Sequence, residues 1–317
     1  MVLICYNINM PFLFIIILLL SPISVLGQQF KEFQMPNSKW RGVATDNFYI
    51  FYDGNNRDLA LRVAIQVEDL RNNCLESFGC AKRNLNKKAR IILYSSDNEY
   101  KRLVPHKDAP SVTHITPGRE SIVRVNIFHP RHSNGLETVE SSVAYEINHV
   151  VFAQLCPTGG PDWASEGCAM LSDSSHKDRW ERKLVKDASQ NKFWHFEQFM
   201  NSEHIPQYDS DKAHTYFAQA YGLADFLTGP NGLGTKAQFM QFINDAQIIG
   251  YEESLQKNYG IRNYEELQSM FNQYIEKKIA LKNEEKINGQ SQWRPAAPIK
   301  TQPTITPMPY IVPTPNP

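Results

Sequence analysis

The hydrophobic patterning changes part-way along the chain, and this change limits the folds open to it. Residues 47–52 alternate aromatic, branched and polar side chains, and residues 89–94 form a branched apolar run, as β-strands do. Between them, residues 57–78 place apolar side chains at helical spacing. Residues 111–128 carry a Pro-Gly pair between two β-rich runs, which is typical of a hairpin. The first part of the chain therefore predicts a sheet with a helix against it.

From residue 137 onward the apolar spacing is helical. The stripe Val143, Ile147, Val150 and Val151 predicts a helix over residues 137–155. Further helices are predicted from Asp162, and then over residues 214–227, 237–246 and 265–281. This order predicts an α+β fold, with an N-terminal mixed sheet and its helices up to about residue 160 and an all-α lobe after it.

Composition excludes several classes of protein. The chain has 317 residues, of which 42% are apolar, and its 33 basic and 33 acidic side chains give no net charge. This is the composition of a globular protein rather than a disordered one. A neutral chain has no bulk electrostatic attraction to nucleic acid, so we expect no nucleic-acid partner.

Both ends differ in composition from the rest of the chain. The apolar run at residues 12–20 is short for a membrane span, and Val25-Leu26-Gly27 resembles a small-residue cleavage site. Residues 1–27 are therefore predicted to be a secretory signal peptide, which leaves no membrane span after cleavage and a secreted, periplasmic or cell-envelope location. Because residues 1–10 contain no Lys or Arg, an uncleaved anchor is the alternative.

The remaining boundaries follow from the same reasoning. Residues 28–43 are predicted to be a linker, and residues 44–283 to be the folded domain. Residues 284–317 are rich in Pro and Thr and are predicted to be an extended tail, which would be a spacer, a stalk or an end without a role. The sequence leaves the oligomeric state open.

Cysteine usage is compatible with export. Removal of Cys5 with the signal peptide leaves four cysteines, which can form two disulfides in three ways. Short loops favour the local pairs Cys74 with Cys80 and Cys156 with Cys168. Four free buried thiols are the alternative.

The predicted helix over residues 137–155 carries a group of polar side chains that could bind a metal ion or take part in catalysis. In Tyr145-Glu146-Ile147-Asn148-His149, one helical turn separates Tyr145 from His149, so both lie on one face. Glu166 follows on the next predicted helix. A helix that supplies side chains at i, i+1 and i+4, followed by a Glu from a second helix, has the geometry of a catalytic zinc site. The alternative to a metal site is a purely structural helix in which His149 is a core residue.

These motifs, in their order and spacing, resemble the peptidase MA-like (gluzincin, thermolysin-like) metallopeptidases. The resemblance covers residues 45–282, including Trp163-Ala164-Ser165-Glu166-Gly167 and a later helix at residues 216–223. It implies a zincin-like fold, a zinc ion held by His149 and Glu166, and Glu146 as the base that takes a proton from zinc-bound water. It also implies an edge strand above the cleft that pairs with an extended peptide. Residues 122–128 are the predicted edge strand.

The sequence departs from the family at the centre of the motif. Tyr145 occupies the place of the first metal-ligating His, and a neutral phenol is a poor ligand compared with imidazole. The zinc site is therefore predicted to be one ligand short, with Tyr145 as a doubtful third. Met170 occupies the place of a carboxylate that often orients a ligand His, and Phe217 matches a family Tyr, with Tyr216 beside it.

Three functions remain open at this point. The first is an exported, catalytically degenerate peptidase homologue that binds a peptide or protein in the former active-site cleft. The second is an active zinc peptidase in which Glu146 is the base and Tyr145 or water completes the ligands. The third is a structural cell-envelope protein that attaches through its tail.

Overall fold

The computed structural model describes most of the chain between residues 23 and 291. The described residues are 23–25, 28–35, 39–53, 56–80, 84–85, 87–103, 111–116, 122–128, 136–156, 159–172, 177–203, 205–206 and 210–291. The apolar run at residues 12–20 and residues 26–27 of the predicted cleavage site lie outside them. Of the predicted extended tail at residues 284–317, residues 284–291 are the end of a helix, which corrects the prediction there, and residues 292–317 lie outside the described part of the chain.

Seven strands of the described residues form one mixed sheet. The strands are β1 (Ile23–Val25), β2 (Gln28–Gln34), β3 (Trp40–Ala44), β4 (Phe48–Asp53), β5 (Ala89–Tyr94), β6 (Ser111–Thr116) and β7 (Ile122–Phe128). Their order across the sheet is β1-β2-β3-β4-β5-β7-β6. The pairs β4–β5 and β5–β7 are parallel, and the other neighbours are antiparallel.

The segment predicted to be a linker is part of this sheet. Residues 28–34 form β2 and residues 40–44 form β3, with Lys31 opposite Ala44 and Gln34 opposite Arg41. The pairing buries Phe30 and Val43, which gives these strands an apolar face. The linker prediction is corrected here. Phe30 and Phe33 lie three residues apart, so this segment lacks the period-two alternation that predicts a strand. β1 falls inside the predicted signal peptide, and cleavage after residue 27 stays a prediction.

Helices make up most of the rest of the described chain, and α1, α2 and α3 lie against the sheet. Their bounds are α1 (Arg57–Ser77), α2 (Asp97–Leu103), α3 (Leu136–Leu155), α4 (Asp162–Ser172), α5 (Lys177–Ser189), α6 (Phe196–Met200), α7 (Asp211–Thr228), α8 (Lys236–Ile249), α9 (Tyr251–Tyr259) and α10 (Tyr264–Ser291). α1 packs on β3 and β4, and α3 packs on β6, β7 and α1. α4 in turn packs on α3 and α7. The predicted α+β class and its mixed sheet are confirmed.

Chain contacts divide the molecule within α10. Residues up to Glu276 form one compact unit, and those from Lys277 form a second, of which the structure describes the remainder of α10. The separation into two lobes near residue 160 stays a prediction. Within the described residues, no helix is long and apolar enough to cross a membrane.

The hairpin prediction holds, but the strand predicted to be the edge is not one. β7 lies between β5 and β6, so both of its sides are paired. β6 ends the strand order, with Ser111 opposite Ile127 and Thr116 opposite Ile122. The parallel β5–β7 pairing, which depends on contacts distant in sequence, makes β6 the edge. This corrects the assignment of residues 122–128.

Candidate functional site

α3 places the polar motif on the side of the helix that faces β6 and α4. The apolar stripe expected from the sequence is buried, with Val143 and Ile147 each 1% exposed and Val150 and Val151 fully covered. Since this stripe is buried and α3 packs on the sheet and on α1, the helix holds the motif side chains in a fixed position.

Tyr145 and Glu166 are joined by a hydrogen bond across the two helices. The Tyr145 hydroxyl donates to Oε2 of Glu166, which α4 presents toward α3. The Tyr145 ring also meets the His149 ring edge to face, with centroids 5.0 Å apart and planes at 75°. The phenol therefore lies between the two residues that the sequence proposes as metal ligands.

His149 is oriented by two contacts to α4. Its Nε2 is 3.8 Å from Glu166 Oε2, and its Nδ1 is 2.7 Å from the hydroxyl oxygen of Ser165. A hydroxyl partner at Nδ1 fixes the ring plane and leaves Nε2 directed at Glu166. Ser165 was not predicted to take part in the site, although it lies inside the Trp-Ala-Ser-Glu-Gly motif.

Glu146 points away from solvent toward β6. It is 1% exposed, and the Thr113 hydroxyl donates a hydrogen bond to its Oε2. Burial raises the pKa of the Glu146 carboxyl above its usual range, while His149 and hydrogen bonds from Ser111 and Thr113 partly oppose this shift. Thr113 was also missed, because a hydroxyl on a distant strand carries no sequence signal for this contact.

Asn148 ties the motif to the core rather than to the polar cluster. Its amide nitrogen donates to Ala144 O at 2.9 Å. Its Oδ1 accepts from the Cys74 thiol at 3.1 Å and from the Ser172 hydroxyl at 3.0 Å. Asn148 therefore links α3 to α1 and α4, and it positions the helix that carries the polar residues.

Of the two neighbouring aromatic residues on the late helix, Tyr216 lies nearer the polar cluster than Phe217. Burial, and then the negative charges of Asp162 and Glu166, raises the pKa of Tyr216, so this phenol lies within electrostatic reach of the cluster. Phe217 instead meets Trp180, with ring centroids 6.1 Å apart. Met170 is buried and supplies no polar atom to His149.

Two of the three ligands of a catalytic zinc site are placed as such a site requires, and the third is not. Donors on one tetrahedral zinc ion lie about 3.3 Å apart, close to the His149–Glu166 separation of 3.8 Å. The place of the third ligand is taken by Tyr145, whose hydroxyl donates a hydrogen bond to Glu166 Oε2. Among the described residues, no group of three or more His, Cys, Asp or Glu side chains could hold a metal ion. The residues as they stand do not fit a three-ligand zinc site.

The four cysteines that the structure describes are free thiols. Cys74, Cys156 and Cys168 are buried, and Cys80 is half-buried. The Cys74 thiol donates a hydrogen bond to Asn148, and the Cys156 thiol donates one to Asn244 Oδ1 at 3.3 Å. Neither thiol is bonded to the cysteine with which the sequence predicts a disulfide. The pairs predicted from the sequence are not formed here, and their formation in an oxidising compartment stays a prediction.

Comparison with known proteins adds no assignment. No family model matches the chain, and no curated protein matches it significantly. A functional conclusion therefore rests on the residues described above.

Proposed function

We propose that this protein is an exported, catalytically degenerate relative of the peptidase MA-like metallopeptidases that binds a peptide or protein in the former active-site cleft. The observation that carries the proposal is the hydrogen bond from the Tyr145 hydroxyl to Glu166 Oε2. It uses the carboxylate that would otherwise bind a metal, and it places a neutral donor where a third ligand is needed.

Glu146 supports the same conclusion. A general base must reach a water molecule and accept its proton. Glu146 is 1% exposed and accepts a hydrogen bond from Thr113, and its burial favours the protonated carboxyl. This arrangement holds β6 against α3, which is a structural use for a carboxylate in a site without metal.

The edge strand β6 is the proposed peptide-binding element. An edge strand offers the N–H and C=O groups of alternate residues to an added strand. Thr113 on this strand contacts Glu146, so a peptide paired with β6 would lie beside the polar cluster of α3. The zincin-like fold and the secreted location belong to this proposal as well.

The metal content of the purified protein tests the degenerate character. We expect substoichiometric zinc after dialysis against zinc-containing buffer, and no cleavage of casein. Stoichiometric zinc together with cleavage would contradict the proposal and would favour an active peptidase with Glu146 as base.

Peptide binding is tested on arrays of random-sequence dodecapeptides with two proline variants, His114→Pro and Ile115→Pro. Because neighbouring residues of an antiparallel strand face opposite edges, one proline removes an outward N–H and the other breaks the ladder to β7. We expect the wild type to bind a subset of the peptides. The proline variant that loses only an outward N–H should keep the wild-type melting temperature and should no longer bind those peptides. A wild type that retains no peptide would instead favour the structural envelope protein.

A further inference from the structure

A second candidate site lies away from the polar cluster of α3, between α5 and α7. It is a groove with a volume of about 300 Å³. The residues that line it are Arg179, Trp180, Arg182, Lys183, Lys186 and His214. Four of these six side chains are cationic, in a chain whose net charge is zero.

Three of the cations lie on one face of α5. At 3.6 residues per turn, Arg179, Arg182 and Lys186 fall within about 60° of one another around the helix axis. All three are exposed, and none forms an ion pair with a residue that the structure describes. The Arg179 guanidinium lies over the Trp180 ring, 5.4 Å from its centroid. These charges are therefore available to a ligand.

Two other charged side chains of α5 near the groove already have partners. Lys183 is bound by the buried Asp187 and lies 3.5 Å from Asp211, so it adds little net charge to the groove. Glu181 accepts a hydrogen bond from the Tyr221 hydroxyl at 3.4 Å, on another face of α5. Asp178 is exposed one helical turn before Arg182, a spacing at which opposite charges attract, but it forms no ion pair with a described residue of the groove. Arg179, Arg182 and Lys186 therefore leave the groove with a net positive charge.

We propose that this groove binds an acidic segment of a partner protein, a role that goes beyond peptide capture at β6. Arg179 and Arg182 each present the planar fork of donors that matches a carboxylate. The Trp180 ring packs on Phe217 with centroids 6.1 Å apart and gives the groove an apolar floor for side chains between the acidic ones.

Other anions fit this groove less well. From Arg179 to Lys186 the helix rises about 10.5 Å, so the charges are spread along a line rather than gathered around one phosphate. Proteins that bind a single nucleic-acid strand stack successive bases on aromatic side chains, and among the described residues that line this groove only Trp180 and His214 carry an aromatic ring. An extended peptide, with about 3.3 Å per residue, can place carboxylates along the same length.

Fluorescence anisotropy of a rhodamine-labelled peptide, Glu-Leu-Glu-Ser-Glu-Leu-Glu-Ser, tests the proposal on the full chain. We expect binding that weakens with added salt, and no binding of the peptide in which Gln replaces Glu. The variant Arg179→Gln/Arg182→Gln/Lys186→Gln should bind about tenfold more weakly. The matched control Lys31→Gln/Arg41→Gln/Arg62→Gln removes the same charges from exposed positions elsewhere and should stay within about twofold of the wild type.

Several results would overturn the proposal. They are a wild type that does not bind the peptide, equal weakening by the triple variant and its control, and displacement of the peptide by pyrophosphate or oligo(dT) at lower concentration than by unlabelled peptide. Circular dichroism checks that the triple variant is folded. The single variant Arg182→Glu repeats the test with a smaller perturbation, and unchanged binding by this folded variant would also count against the groove.

Discussion

The hydroxyl of Tyr145 is hydrogen-bonded to Oε2 of Glu166, and this bond connects α3 to α4 at the centre of the candidate site. His149 Nε2 lies 3.8 Å from the same oxygen. A residue one turn before His149 therefore supplies the proton donor that holds Glu166. Four predictions follow from this arrangement and from the packing around it.

The variant Tyr145→His should bind one zinc ion per chain. An imidazole at residue 145 would supply the missing nitrogen ligand beside His149 and Glu166, and it would remove the phenol that occupies Glu166. Equilibrium dialysis followed by elemental analysis measures the gain. The control Tyr145→Phe also frees Glu166 but adds no ligand, so it should remain without stoichiometric zinc. Equal zinc uptake by both variants would contradict the geometric explanation.

The stability of the protein should depend on the ionisation of Glu146. Its pKa is raised by burial, so the folded state holds a proton that the unfolded state releases as the pH rises above the normal glutamate range. The free energy of unfolding should therefore fall as the pH rises through the interval between the unfolded and the folded pKa values. In Glu146→Gln this loss should be absent, while the hydrogen bond from Thr113 can be kept.

Urea denaturation of the wild type and of Glu146→Gln, at pH 4 and at pH 7, measures this effect. The variant should gain stability relative to the wild type at the higher pH. Glu203→Gln, which changes an exposed glutamate, is the control and should show no such gain. A difference between wild type and Glu146→Gln that is the same at both pH values would show that Glu146 titrates normally.

The buried thiols should react slowly in the folded protein. Burial raises the pKa of Cys74 to about 11 and that of Cys168 to about 12, so little reactive thiolate is present at neutral pH. Iodoacetamide should label Cys80 first and the buried thiols only after denaturation. Peptide mass mapping reads the result. If none of the four cysteines in the denatured protein is labelled until a reductant is added, the result would instead support the disulfides predicted from the sequence.

Gly167 should not tolerate a larger side chain. A Cβ at this position would lie 2.5 Å from the Ala220 carbonyl oxygen and 2.8 Å from the Ala224 Cβ, so α4 and α7 would have to separate. We expect Gly167→Ala to lower the free energy of unfolding by about 1–3 kcal/mol, and Gly167→Val to lower it further. Chemical denaturation measures both changes. A neutral Gly167→Val would mean that the two helices are not closely packed.

The helix with the polar motif could be predicted from the sequence, and so could its buried face. Val143 and Ile147 repeat at the helical period, and the same period places Tyr145 and His149 on one face. The partners Ser165 and Thr113 were not predicted. Ser165 is displayed by a neighbouring helix, and Thr113 belongs to a strand that reaches α3 only through the folding of the sheet.

The sheet shows the same division. Strands β4 and β5 and the β6–β7 hairpin follow from local alternation, whereas the order that puts β6 at the edge depends on parallel pairing between β5 and β7. Residues 28–43 carried too weak an alternation to be assigned, and pairing with β4 and burial of Phe30 and Val43 decided their conformation.

The sequence by itself determined the helices and strands that carry a clear apolar period, such as α1, α3 and β4, and which side chains share a helix face, because these properties depend on the few residues within one or two turns. The tertiary structure decided which distant groups meet: the Tyr145 phenol with Glu166, the Glu146 carboxyl with Thr113, and the basic face of α5 with α7. Contacts between residues distant in sequence depend on how packed helices and strands are oriented, and the hydrophobic period within one helix or strand does not encode that orientation.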